Sequence, residues 1–362
     1  MSRVVVVVGG GYGGAAVAKA LDEDADVVLV EPKDAFVHAA GSLRALVEPD
    51  WAGNIFFPYD GLLARGRVVR ARAASVDPGG VTPASGERIA ADYVVLATGS
   101  DYPYPAKTDT ESSTEALDRL LATHKELADA PRVLIVGAGP VGLELSGEIK
   151  AVWPDKRVTV VDPAERLVPG FEPELRDELH RQLDAIGVEL RLGTALTAAP
   201  PTEPARAGTF TVGTTDGELT ADIWFRCHGA RVNGGFLDDA RTPQGRVRVT
   251  ETLNVEGHRH VYAVGDITDL AEAKMAGYAM QHAEVVAKNI AAQVRGERPT
   301  ATYRPSPVPS ILLPLGPKGG VGQFPTPDGT TLLSPEDVAR YKGADLFTGR
   351  FVELFGVDPA TR

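Results

Sequence analysis

Apolar residues in this chain come mainly in short, unbroken runs rather than in long alternations. Val4–Val8 is five consecutive β-branched residues, too short for a buried helix and suited to a strand covered on both faces. Gly9, Gly10, Gly11, Gly13 and Gly14 surround Tyr12 immediately afterwards, residues 15–21 are rich in helix-forming alanine, and 27–30 is a second apolar run. The pattern predicts a strand–helix–strand unit within about thirty residues. The same opening returns at 134–136, with glycines over 137–142, a helix through Ile149 and a strand at 158–161, so Gly137 stands 128 residues after Gly9. Between the copies, 93–97 reads as another buried strand ending in Thr98-Gly99-Ser100, and the Pro-bearing 102–105 as a linker. Residues 200–208 read as a surface loop, 261–264 as a strand ending at Gly265-Asp266, and about 274–294 as a helix. From Pro305 onward prolines punctuate short apolar runs, which predicts a smaller unit of strands with a terminal helix.

Composition narrows this picture. At 362 residues the chain is too long for one ordinary core, and 43% hydrophobic with 24% charged residues marks a folded protein. The net charge of −12 argues against nucleic acid as a partner and against attraction to anionic membranes. Cys227 is the single cysteine, so no internal disulfide, Cys-x-x-Cys redox pair or cysteine-rich metal site can form, and no metal site is expected. No signal peptide or transmembrane segment is apparent, and Ser2 is not the glycine that a myristoyl anchor needs. A cytoplasmic protein is expected.

The first glycine cluster has the form Gly9-x-Gly11-x-x-Gly14 after a strand, with Glu31 closing the next strand. Such glycines allow a tight turn, close approach of backbone to a pyrophosphate and close helix–strand packing, and the acid can accept from a ribose diol. Gly137-x-Gly139-Pro140-x-Gly142 with Asp162 repeats the arrangement. Two such fingerprints imply two dinucleotides. An acid at Asp162 favours NADH over NADPH, although Lys156, Arg157 and Arg166 lie near enough in sequence to leave NADPH admissible. Glu144, two residues after Gly142, reads either as a carboxylate favoured near a helix start or as a group at the cofactors' reactive edge. Asp266 reads either as a helix N-cap or as a carboxylate on a cofactor chain.

Together with Ala97-Thr98-Gly99-Ser100 and Tyr262-Ala263-Val264-Gly265-Asp266, these fingerprints resemble the FAD-dependent pyridine nucleotide oxidoreductases. Glu31-Pro32-Lys33-Asp34, Ser42-Leu43-Arg44-Ala45, Lys274-Met275-Ala276 and Lys342-Gly343-Ala344-Asp345-Leu346-Phe347 are similar to the apoptosis-inducing factor 2, or ferroptosis suppressor protein, family. The resemblance runs to about residue 350. It implies an α/β protein with two Rossmann-like dinucleotide-binding domains of the glutathione-reductase type plus a small C-terminal α+β domain. The expected division is 1–105 with 248–304 for FAD, 106–247 for NAD(P)H, and 305–362 for the C-terminal part. The activity implied is that of an NAD(P)H:quinone oxidoreductase related to type II NADH dehydrogenases.

In that reading residues 9–14, Glu31, Arg44, Val68, Thr98, Gly99, Gly265, Asp266 and the run Lys274-Met275-Ala276 hold FAD. Asp266 takes the ribitol, and the helix after it favours negative charge on the flavin. Glu144 lies beside flavin and nicotinamide, while Lys342 and Phe347 close over the flavin at the quinone side. Cys227-His228-Gly229 departs from the class, which has a second Thr-Gly pair there. Rival readings are a reductase of a small redox protein, resembling ferredoxin reductases, and a slow redox sensor. Either a monomer or a homodimer is compatible with the sequence.

Three features are weighed on pattern alone. His38 reads more simply as a packed loop residue than as a catalyst. Cys227 and His228 read as structural. Phe347, Phe351, Leu354 and Phe355 fall on one helical face, which predicts packing onto the body; the alternative is an apolar lip for peripheral membrane contact.

Overall fold

A computed structural model describes residues 2–327 and 329–357; the last five residues of the expected C-terminal part and Met1 lie outside them. The β-branched run Val4–Val8 forms the centre of a five-stranded parallel sheet with spatial order Val261–Ala263, Tyr93–Leu96, Val4–Val8, Asp26–Val30, Arg67–Val69. Its middle strands are apolar apart from Asp26 because both faces are covered, on one side by α1 (Tyr12–Leu21) and α6 (Ala276–Val294). A second parallel sheet has the order Val188–Leu192, Arg157–Asp162, Arg132–Val136, Ile223–Arg226. The remaining helices are α2 (Ser42–Val47), α3 (Ser113–Asp129), α4 (Pro140–Val152), α5 (Pro173–Ala185), α7 (Pro335–Val338) and α8 (Thr348–Leu354). Parallel strands need crossovers, and α1 and α4 supply the first crossover of each sheet.

The chain after Pro305 forms strands, as expected, and they pair antiparallel: Ile311–Leu315, Gly319–Thr326 and Gly329–Leu333. This sheet is seated on α4 at Gly147, where an added Cβ would stand 2.6 Å from the Leu315 Cα, so only glycine permits the approach. One buried cluster accordingly includes Leu46 of α2, Leu145 and Ile149 of α4, and Leu313 of the C-terminal sheet. The three regions meet around α4.

Two expectations change here. The helix predicted from about 274 begins at Ala276 with Met275 as its cap residue, ten residues beyond Asp266, so Asp266 does not cap it. The helical face predicted from Phe347 to Phe355 also divides. Phe347 precedes α8 in left-handed backbone (φ 64°) and is 44% exposed, whereas Phe351 and Phe355 are buried and stack on Phe36 at 5.1 and 4.9 Å. Packing claims the two inner phenylalanines, leaving no continuous apolar lip on α8.

Candidate active site

Each parallel sheet ends in the same device. Gly9 N donates to Val30 O at 2.9 Å and Gly137 N to Val161 O at 2.8 Å, carrying the chain off the strand in equivalent turns. Both glycines have positive φ (101° and 116°), and a Cβ on either would meet a backbone oxygen, of Ala97 or of Cys227, at 2.5 or 2.6 Å. The strand-tip acids match too: Gly10 N donates to Glu31 Oε2 at 2.6 Å, and Ala138 N to Asp162 Oδ2 at 2.7 Å. Cys227 therefore occupies the position in the second unit that Ala97 occupies in the first. Burial pushes its thiol up to about 12, which keeps it protonated and unreactive.

Dinucleotides fit these loops. The helices α3 and α7 are capped by the side chains of Ser112 and Ser334, whereas α1 and α4, like α2, α5, α6 and α8, have no side-chain cap; α1 and α4 begin at Gly11 and Gly139, inside the glycine turns. The first N–H groups of α1 and α4 are thus left for an anion. A Cβ on Gly11 or Gly139 would meet nothing within 4 Å, so there is open space on the side from which a pyrophosphate approaches. Thr98 and Gly99 turn the chain at the neighbouring strand end, fixed by Asn233: Thr98 Oγ1 donates to Asn233 O at 2.6 Å, and Asn233 N to Gly99 O at 3.0 Å. Val68 lies on the edge strand opposite Leu29, two strands from Gly9.

Asp266 follows Gly265 (φ 75°) in a single 3-10 turn. Its Oδ2 accepts from Ser100 Oγ at 2.5 Å and lies 3.7 Å from Lys107 Nζ. Lys274 turns back to donate to Thr268 O and Leu270 O, so it ties the loop between Asp266 and α6, and burial lowers its pKa.

The sharpest constellation joins α4 to the C-terminal segment. Lys342 Nζ donates to Glu144 Oε1 at 2.9 Å and to Leu312 O at 3.0 Å, with both side chains 14% exposed. Burial raises the Glu144 carboxyl above its ordinary range, opposed by the ammonium of Lys342. The Tyr12 hydroxyl at the start of α1 feels the charges of both Glu144 and Asp266, although burial is the main cause of its raised pKa. Residues from both glycine loops and from the C-terminal segment therefore converge.

Arg44 forms a buried ion pair beside this constellation. Its guanidinium is 2% exposed; Nε and Nη2 donate to the Glu148 carboxylate at 3.0 and 2.8 Å, and Nη1 to Ala344 O at 3.0 Å. Three of its five N–H donors therefore have protein acceptors, which makes Arg44 a clamp between α2, α4 and the segment bearing Lys342. Glu148 had not been singled out, though it lies one helical turn beyond Glu144 and faces the same way. His38 is likewise occupied at both ring nitrogens, by Tyr12 and Leu346, which removes it as a free acid or base.

The family model for pyridine nucleotide-disulphide oxidoreductases matches residues 3–289. The chain belongs to that family. Ferroptosis suppressor protein 1 of Taeniopygia guttata is 34% identical over 337 residues, covering 88% of each chain. Apoptosis-inducing factor homolog B of Dictyostelium discoideum is 30% identical over 375 residues, covering 96% of this chain and 95% of that one. Among solved structures, the sulfide:quinone oxidoreductase of Aquifex aeolicus shares the fold, with a TM-score of 0.77 and 19% identity over 98% of this chain and 91% of that one. The protein is an FAD-dependent NAD(P)H oxidoreductase. With one buried cysteine it lacks the dithiol relay that the family name describes. Among the described residues no helix is long and apolar enough to cross a membrane.

Proposed function

We propose that this enzyme oxidises NAD(P)H and reduces a quinone, with FAD at the first glycine loop and the nicotinamide cofactor at the second. The observation that carries the reading is the Glu144–Lys342 pair, which brings the start of the second loop's helix against a C-terminal segment that is also bonded to the first unit. The reading divides the chain into 1–105 with 248–304 for FAD, 106–247 for NAD(P)H and 305–362 for the acceptor side. It places the enzyme in the cytoplasm.

FAD, when bound, accepts hydride from the nicotinamide and passes two electrons to the acceptor. The balance is NAD(P)H, one proton and a quinone giving NAD(P)+ and a quinol. The chain's own residues bind and orient. The uncapped starts of α1 and α4 take the pyrophosphates, Glu31 and Asp162 the ribose hydroxyls, and Thr98, Gly99, Gly265, Asp266, Met275 and Ala276 line the FAD side. Asp162 favours NADH, since its carboxylate already gathers the N–H groups of Ala138 and Ala164 and would repel a 2′-phosphate. An ammonium has three N–H donors. Lys342 gives one to Glu144 and one to Leu312, which leaves the third for a quinone oxygen, and Phe347, five residues on, is exposed.

Anaerobic titration tests this. The purified protein should be yellow, lose its flavin absorbance when NADH is added, and regain it when a short-chain benzoquinone follows. A flavin that NADH does not bleach, or that the quinone leaves bleached, overturns the proposal.

A further inference from the structure

Three hydrogen bonds connect the first glycine loop to the C-terminal segment. Ala40 N donates to the Tyr12 hydroxyl at 3.0 Å, that hydroxyl is 3.0 Å from His38 Nδ1, and His38 Nε2 is 2.6 Å from Leu346 O. Elementary chemistry fixes every proton in this chain. A carbonyl oxygen only accepts, so Nε2 carries the ring hydrogen. In the neutral imidazole Nδ1 then accepts, so Tyr12 donates to it while accepting from Ala40. The ring is 1% exposed and lies 4.6 Å from that of Phe351. Charged groups within range are Lys342 and Asp345, and burial lowers the imidazole pKa to about 4, in keeping with the neutral form.

What this chain grips is unusual backbone. Leu346 and Phe347 stand side by side at φ 55° and 64°, a left-handed conformation that branched and aromatic residues seldom adopt and that persists only when neighbours hold it. The bond to Leu346 O sits at this kink, four residues after Lys342 and next to Phe347.

We infer that His38 is a positioning residue for electron-acceptor reduction: by holding Leu346 O it fixes Lys342 and Phe347 in place, and through Tyr12 it joins that placement to the first glycine loop. The inference rests on the proposed reading, in which these two residues face the quinone.

The two half-reactions separate this role from general support of the fold. In FAD-loaded full-length protein, His38→Gln keeps an N–H near the Nε2 position to donate to Leu346 O, whereas His38→Asn keeps only an acceptor near Nδ1. Stopped-flow bleaching by NADH should stay near the wild-type rate in both. Reoxidation by a short-chain benzoquinone should stay near wild type in His38→Gln and fall about tenfold in His38→Asn, the effect of losing one hydrogen bond of ordinary worth. Should His38→Asn fail to retain flavin, His38→Leu, which fills the same pocket and removes both ring hydrogen bonds, takes its place with slowing of reoxidation alone. Wild-type reoxidation in the Asn variant, or in His38→Leu where that replaces it, overturns the inference. So does equal slowing of both half-reactions. Wild-type flavin that NADH cannot bleach instead overturns the proposed function itself, and the inference with it.

Discussion

A methyl group on Gly14 would stand 1.8 Å from Gly9 O, and one on Gly142 would stand 2.0 Å from Gly137 O. In both places the obstacle is backbone, so the helix itself would have to retreat from its strand. Gly14→Ala should therefore yield a protein that loses its flavin, whereas Gly142→Ala should stay yellow but no longer bleach with NADH. Absorbance spectra before and after NADH distinguish the two, and a Gly142→Ala protein that bleaches normally would contradict the assignment of the second loop. These glycines and the acids Glu31 and Asp162 were legible in the sequence because all their requirements lie within one short unit. Arg44 was not, because its partner Glu148 is 104 residues away. That pair is 2% and 3% exposed, and removing one member strands a buried charge. Arg44→Met should cost about 3–5 kcal/mol in urea unfolding, while Arg44→Met with Glu148→Leu should recover most of that loss. Equal destabilisation in the single and double variants would show that packing, not charge, sets the cost.

At the scale of elements, the repeated strand–glycine–helix opening announced itself, since its apolar runs and punctuation are local. What failed was the passage from Asp266 to α6. Nine residues intervene, and their course is set by contacts between distant side chains and backbone. Gly265 N donates to His282 Nδ1 at 3.0 Å from the inner face of α6, and His282 Nε2 lies 2.8 Å from Glu272 Oε1, though not squarely aligned with it. Tyr303 then donates to the other oxygen of Glu272 at 2.5 Å. An acceptor for one backbone amide leaves no signature in a sequence. Its loss would be felt, because an unpaired buried N–H costs about 1–3 kcal/mol. His282→Phe, of similar volume, should loosen the Gly265-Asp266 turn and weaken FAD retention by tenfold or more. Flavin fluorescence released on dilution measures this, and release at the wild-type rate would free His282 of the role. The misread face at Phe347 has a related origin. Helical spacing continues through the sequence, but the chain enters α8 through two left-handed residues, a turn dictated by Arg44 and His38 from elsewhere.

Across the whole molecule, 308 residues separate His38 from Leu346, and their bond fastens the last segment to the first unit. Burial keeps the imidazole of that network neutral, which gives the assembly a defined response to acid. His38 titrates at about 4 when folded, against an ordinary value of 6.5. Between those values the unfolded chain binds a proton that the folded one refuses, so stability rises with pH across the window and falls as pH drops from about 6.5 toward 4. One pH unit within it corresponds to about 1.4 kcal/mol, so the residue's contribution falls by about 2 kcal/mol between pH 7 and pH 5. Tyr12, Lys342 and Asp345 face the ring, and Glu144, whose carboxyl is raised by burial, adds an acid dependence of its own. The comparison must therefore be a difference between proteins. Urea unfolding of wild type and His38→Gln, each at pH 7 and pH 5, cancels every contribution except that of the imidazole. The stability advantage of wild type should shrink by about 2 kcal/mol at the lower pH. An advantage that is the same at both would mean that the ring takes up its proton at no cost to the fold, with its bond to Leu346 left in place.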